Sequence, residues 1–177
     1  MDDLDRPLLE KGLKRTRLMI DFLKKRRATV DLILSSPAVR AYETAKLFAW
    51  ALELPEEALR QENGIYAANA DRLSNQFFDL PVSVNSLMMV GHNPGITDFA
   101  NRFLRFKIEM LPTSGMVGLE FDTDKWEEIM DCGTKKLFVV SPVLIVALVI
   151  WAQVDDAKLY ANIVTDTLEV LALNMML

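Results

Sequence analysis

Two periods of hydrophobic and polar positions alternate along this chain. Leu13, Thr16, Met19, Ile20 and Leu23 recur at three- and four-residue spacing, which predicts a helix with one buried stripe ending at Lys24-Lys25-Arg26-Arg27. Val30-Asp31-Leu32-Ile33-Leu34 is a short apolar run with β-branched residues and predicts a buried strand. Ser35-Ser36-Pro37 stops it; Ser36 suits an N-cap and Pro37 a first helical position, so a helix is predicted over 38–50. A surface connection from Leu54-Pro55 leads into a short strand within 58–66, with a turn at Asn63-Gly64. A helix over 70–80 follows, with Leu73, Phe77 and Leu80 inward and Pro81 ending it.

The run Ser86-Leu87-Met88-Met89-Val90 predicts a second buried strand. Gly91-His92-Asn93 makes a tight turn after it, and a helix is predicted to begin at Pro94, with Ile96, Phe99, Ala100, Phe103 and Leu104 on one face. Leu111-Pro112-Thr113-Ser114-Gly115 is a turn leading to an alternating strand over 116–121, and another strand is predicted over 135–140. Strands interleaved with helices predict an α/β fold over residues 1–140. Residues 141–177 differ in character. Between Leu137 and Ala152 only Ser141 and Pro142 interrupt the apolar residues, and the run is bounded by Lys135-Lys136 and Asp155-Asp156. A membrane helix needs about 20 apolar residues, so this run is short for a span and equally suits a buried strand or core helix. It is read as an apolar extension, packed on the domain or associated with a membrane.

Composition narrows the function classes. At 177 residues the chain is long enough for one domain with a proper core. A formal charge of −5 does not suggest a general affinity for nucleic acid or acidic membranes, and the basic first helix reads as a solvated face. The single Cys132 leaves neither a disulfide framework nor a thiolate metal cluster, which fits a reducing compartment. Met1-Asp2-Asp3-Leu4-Asp5 is acidic where a signal peptide needs a basic region and an apolar core, so a cytoplasmic location is expected.

Two residues stand out chemically. His92, the only histidine, follows the end of a predicted strand, where ligands of open α/β sheets bind and where a helix start favours anions. Its alternative role is to cap the turn. Arg40 falls in the first turn of the helix after the first strand, where a cation opposes the helix dipole; an anion partner explains that placement, as would an ion pair with Glu43.

Asp5-Arg6-Pro7-Leu8 with Gly12, the stretch Asp31-Leu32-Ile33-Leu34-Ser35-Ser36-Pro37-Ala38-Val39-Arg40-Ala41-Tyr42-Glu43-Thr44-Ala45, Ile65-Tyr66, Val90-Gly91-His92-Asn93-Pro94-Gly95 and Leu111-Pro112-Thr113-Ser114-Gly115 together resemble the histidine phosphatase superfamily, most of all its SixA-type phosphohistidine phosphatases. The resemblance implies a three-layer α/β/α, phosphoglycerate mutase-like fold. It also implies a phosphatase that needs no metal or cofactor and acts on a phosphohistidine protein or a small phosphomonoester through a phosphohistidine intermediate. Arg40 matches the family's phosphate-clamping arginine, whose planar fork can hold two phosphate oxygens. His92 matches the second pocket histidine, which stabilises the phosphoryl group and is not the nucleophile.

The family pattern also has an opening strand ending in Arg-His-Gly or Arg-His-Ala, which this sequence does not carry. The nucleophilic histidine and the arginine beside it are then lacking, and the chain is expected to be truncated or a very poor phosphatase. That strand lies inside the family's sheet, and part of residues 143–151 is expected to fill its place; an unrelated tail on a truncated product is the competing reading. Three functional readings follow: a histidine phosphatase, a non-catalytic phosphate- or phosphoprotein-binding module retaining Arg40 and His92, and a membrane-attached form with the domain on the Lys135-Lys136 side.

Overall fold

The computed structural model of the protein describes residues 2–105 and 107–142. Its helices are α1 (Glu10–Lys25), α2 (Val39–Ala51), α3 (Ala70–Ser74) and α4 (Gly95–Ala100), and its strands are β1 (Leu32–Ser35), β2 (Leu59–Gln61), β3 (Leu87–Val90), β4 (Met116–Phe121) and β5 (Thr134–Val140). β1 lies at the centre of a parallel sheet ordered β2-β1-β3, with Ile33 opposite Leu59 on one side and Met88 on the other. Both faces of β1 are covered, which explains its unbroken apolar run.

Alternation along β1 divides the core. Leu32 and Leu34 point into a cluster with Ile65, Leu73, Phe77 and Phe99, the side of α3 and α4. Ile33 points the other way, into a cluster with Met19, Ile20 and Leu23 of α1 and Ala45 and Phe48 of α2. The result is the three-layer α/β/α arrangement. Asp31 ties the strand starts together: one carboxylate oxygen accepts the N–H groups of Asn85 and Ser86, each at 2.8 Å. Those backbone bonds, the one from Asn85 foremost, hold its carboxyl below the usual carboxylate range.

β4 and β5 pair antiparallel, with Met116 opposite Val140, and form a sheet of their own. Among the described residues, β3 has a strand partner only in β1 and β4 only in β5. Between them lies a cleft of about 990 Å³, lined by residues of α1, β3 and β4.

Three boundaries differ from the periodic reading. The helix predicted over 38–50 begins at Val39, because the Ser36 hydroxyl already accepts the Ala38 N–H in the bend before it. The helix predicted over 70–80 stops at Ser74 and tightens into a 3₁₀ turn at Asn75–Phe77; Ser74 and Gln76 turn their side chains back to the carbonyls of Ala70 and Arg72. The helix expected to begin at Pro94 and run to Leu104 has only six residues, Gly95–Ala100, with Pro94 as its cap. Asn101 ends it by bonding the backbone of Ile108 in both directions, at 2.9 Å each.

Among the described residues no helix is long and apolar enough to cross a membrane. The expectations placed on residues 143–177, whether an added strand, a core helix or a membrane segment, lie outside the described residues.

Candidate functional site

The end of β1, the start of α2 and the turn after β3 converge because β1 and β3 are parallel neighbours, with Ser35 in register with Val90. Arg40, on the second residue of α2, therefore faces His92, two residues beyond β3. The Arg40 Nη2 group lies 3.3 Å from His92 Nδ1. The guanidinium always donates, so His92 Nδ1 accepts, and the proton of the neutral ring sits on Nε2. From there it donates to the Ser36 hydroxyl at 2.7 Å. Burial first, and the Arg40 charge second, push the His92 pKa below its ordinary value of 6.5, which favours this neutral form.

An internal carboxylate completes the cluster. Arg40 Nη2 donates to Asp3 Oδ2 at 2.9 Å, and Nη1 donates to the Asp3 carbonyl. The Tyr66 hydroxyl donates to the same Oδ2 at 3.2 Å, and the Tyr66 ring meets His92 edge-on with centroids 5.6 Å apart. Two donors from elements far apart in sequence thus converge on one carboxylate oxygen. The Arg40 hydrogen bond, foremost, lowers the Asp3 pKa, and burial together with Asp3 raises that of Tyr66. Chemically, a guanidinium and a phenol hydroxyl aimed at one point can hold an anionic oxygen there, as they hold Asp3 Oδ2.

Arg40 and His92 are brought together, and Arg40 does not pair with Glu43, whose carboxylate accepts the Leu8 N–H at 2.8 Å. Two amides at the helix starts have partners within the chain. The first amide of α2, on Val39, donates to the Leu4 carbonyl, and the Ile96 amide of the short α4 donates to the His92 carbonyl. Three members of the cluster escape a reading of the sequence for reactive residues: Ser36 and Tyr66 stand inside the motifs Ser35-Ser36-Pro37 and Ile65-Tyr66 and were open to notice, whereas nothing around Asp3 signals its role. Among the described residues, no group of three or more His, Cys, Asp or Glu side chains forms a metal-binding set.

Residues 2–64 match the model of the histidine phosphatase superfamily (branch 1). No curated protein matches the sequence. The fold resembles a solved structure described as a phosphohistidine phosphatase SixA from Nakamurella multipartitia, with TM-score 0.69 and 19% identity over 81% of this chain and 88% of that one. A protein histidine phosphatase SixA complexed with tungstate gives TM-score 0.67 and 22% identity over 80% and 88%. A third, described as a SixA from Agrobacterium tumefaciens, gives TM-score 0.64 and 24% identity over 78% and 86%. The three solved structures show the fold that this chain shares with them, and the family model adds a match over its first part, residues 2–64.

Proposed function

We propose that this chain, of SixA-type histidine phosphatase fold, recognises the phosphoryl group of a phosphohistidine-bearing protein at the cluster of Arg40, His92 and Tyr66. The observation that carries this reading is the shared Asp3 oxygen, held by Arg40 and Tyr66 beside His92. A phosphoryl oxygen is a better acceptor than a carboxylate for a guanidinium fork, and it displaces Asp3 on binding. Arg40 then holds two oxygens, Tyr66 donates to one of them, and His92 keeps the guanidinium in place through Nδ1. Protonated, His92 gives up that contact, because Nδ1 no longer has a lone pair for Arg40, and adds a second cation beside the phosphoryl group instead. The likeness to a SixA complexed with tungstate, a tetrahedral oxyanion, supports an anion of this shape. The sequence carries one histidine, so no second imidazole is at hand to receive the phosphoryl group, and the chain as it stands binds without turning over. It acts in the cytoplasm, consistent with the free thiol of Cys132.

Calorimetric titration with tungstate tests the site. Arg40→Ala is expected to weaken binding by at least about tenfold, because a charge-assisted pair is lost. Asp3→Asn is expected to strengthen it, because a competing negative charge leaves the fork. Binding unchanged by Arg40→Ala would overturn the proposal. Release of phosphate from a phosphohistidine protein by the unaltered chain would replace binding with hydrolysis as the function.

A further inference from the structure

We infer that Asn93 and Thr97 are positioning residues of the anion site, which hold the turn carrying His92 by gripping both backbone groups of Leu111. The Asn93 side-chain amide donates to the Leu111 carbonyl at 2.7 Å, and its oxygen accepts the Thr97 hydroxyl at 2.7 Å. That hydroxyl in turn accepts the Leu111 N–H at 2.9 Å. A carbonyl only accepts and an N–H only donates, so the direction of all three bonds is fixed, the orientation of the Asn93 amide included. Thr97 and Leu111 are buried, where a backbone group left unpaired is costly. The same device recurs four residues on, where Asn101 bonds Ile108 in both directions. Side chains thus fasten α4 to residues 108–111 at both of its ends, and a helix of six residues has little hold of its own.

His92 depends on this clamp most when the site is filled. Its ring has two hydrogen-bond contacts, Arg40 on Nδ1 and Ser36 on Nε2. Under the proposed function, on which this inference rests, an anion takes the Arg40 fork, and a protonated ring has no lone pair left for that guanidinium. Ser36 then remains as the ring's partner, and the rest of its placement comes from the backbone. The His92 carbonyl accepts the Ile96 N–H at 3.1 Å, which ties the turn to α4 alone. The Asn93 and Thr97 side chains tie it to a second, separate segment. Leu111 and the turn after it line the same cleft as Arg40 and His92, so the clamp joins two walls of one site.

The test reads the ring of His92 itself, whose nitrogen NMR signals have no overlap because the chain carries one histidine. Thr97→Val keeps the shape of the side chain and removes the hydroxyl; Thr97→Ser removes the methyl group and keeps the hydroxyl. At about pH 7.5, above the ordinary histidine value of 6.5, the unaltered chain and Thr97→Ser are expected to show the neutral ring with its proton on Nε2. Thr97→Val is expected to show a mixture of both tautomers and to bind tungstate about fivefold more weakly, as the loss of one hydrogen bond implies. A packing role would instead show in Thr97→Ser and spare Thr97→Val. A ring spectrum unchanged in Thr97→Val, or altered as much in Thr97→Ser, would overturn the inference. Tungstate that fails to bind the unaltered chain counts against the proposed function, and the ring spectra then decide on their own whether Asn93 and Thr97 place His92. If Thr97→Val does not fold, Asn93→Ala, at a solvent-exposed residue, is read in the same way.

Discussion

His92 is held by two neighbours with opposite demands. Arg40 needs a lone pair on Nδ1, and Ser36 takes the proton on Nε2, so both contacts together require the neutral ring. Protonation turns Nδ1 into a donor aimed at a cation. The sign of the pH dependence follows. With the folded pKa below 6.5, the unfolded chain binds the proton more readily, so stability is undiminished above about pH 6.5 and falls as pH drops from there toward the folded value. Asp3 and Asp31, both lowered from 3.8, lose their contributions only below that value, outside this window. Urea unfolding between about pH 5 and about pH 7.5 is expected to show midpoints rising with pH, and His92→Gln is expected to flatten the rise. Oxyanion binding reverses the preference, since an anion on Arg40 favours imidazolium, so tungstate is expected to bind more tightly at the acid end of the same range.

At the scale of elements, strands were more legible than helices. β1 and β3 read directly from their apolar runs because a strand buried on both faces needs nothing else. Helix ends did not, because side chains chosen for tertiary contacts set them: Asn101 spends its amide on Ile108 instead of letting α4 continue. Gly95 shows the same dependence. A Cβ there would lie 1.9 Å from the Ala68 carbonyl oxygen, so α4 can pack on the loop before α3 only with glycine at its first position. Gly95→Ala is expected to lower stability by about 1–3 kcal/mol, since backbone is what must give way. Gly133→Ala, whose added carbon meets nothing within 4 Å, is the control and is expected to stay within about 0.5 kcal/mol by denaturant titration.

For the whole molecule, one strand separates two cores, and Ile33 is the residue of β1 that fills the side of α1 and α2 without any exposure. Ile33→Ala is expected to cost about 2–5 kcal/mol in denaturant melts, whereas Val82→Ala, at a side chain 99% exposed, is expected to change almost nothing. The sequence by itself determined the α/β class, the two buried strands, the solvated basic face of α1 and the choice of Arg40 and His92 as the pair to look for together, because period, turn residues and residue type are local properties. Only the tertiary structure decided that Asp3 and Tyr66 share one oxygen with Arg40, that Glu43 belongs to Leu8, and that β3 and β4 face each other across a cleft. Those are contacts between residues far apart along the chain, set by how β1 and β3 pair and how the helices pack over them, and no local pattern encodes such a distance.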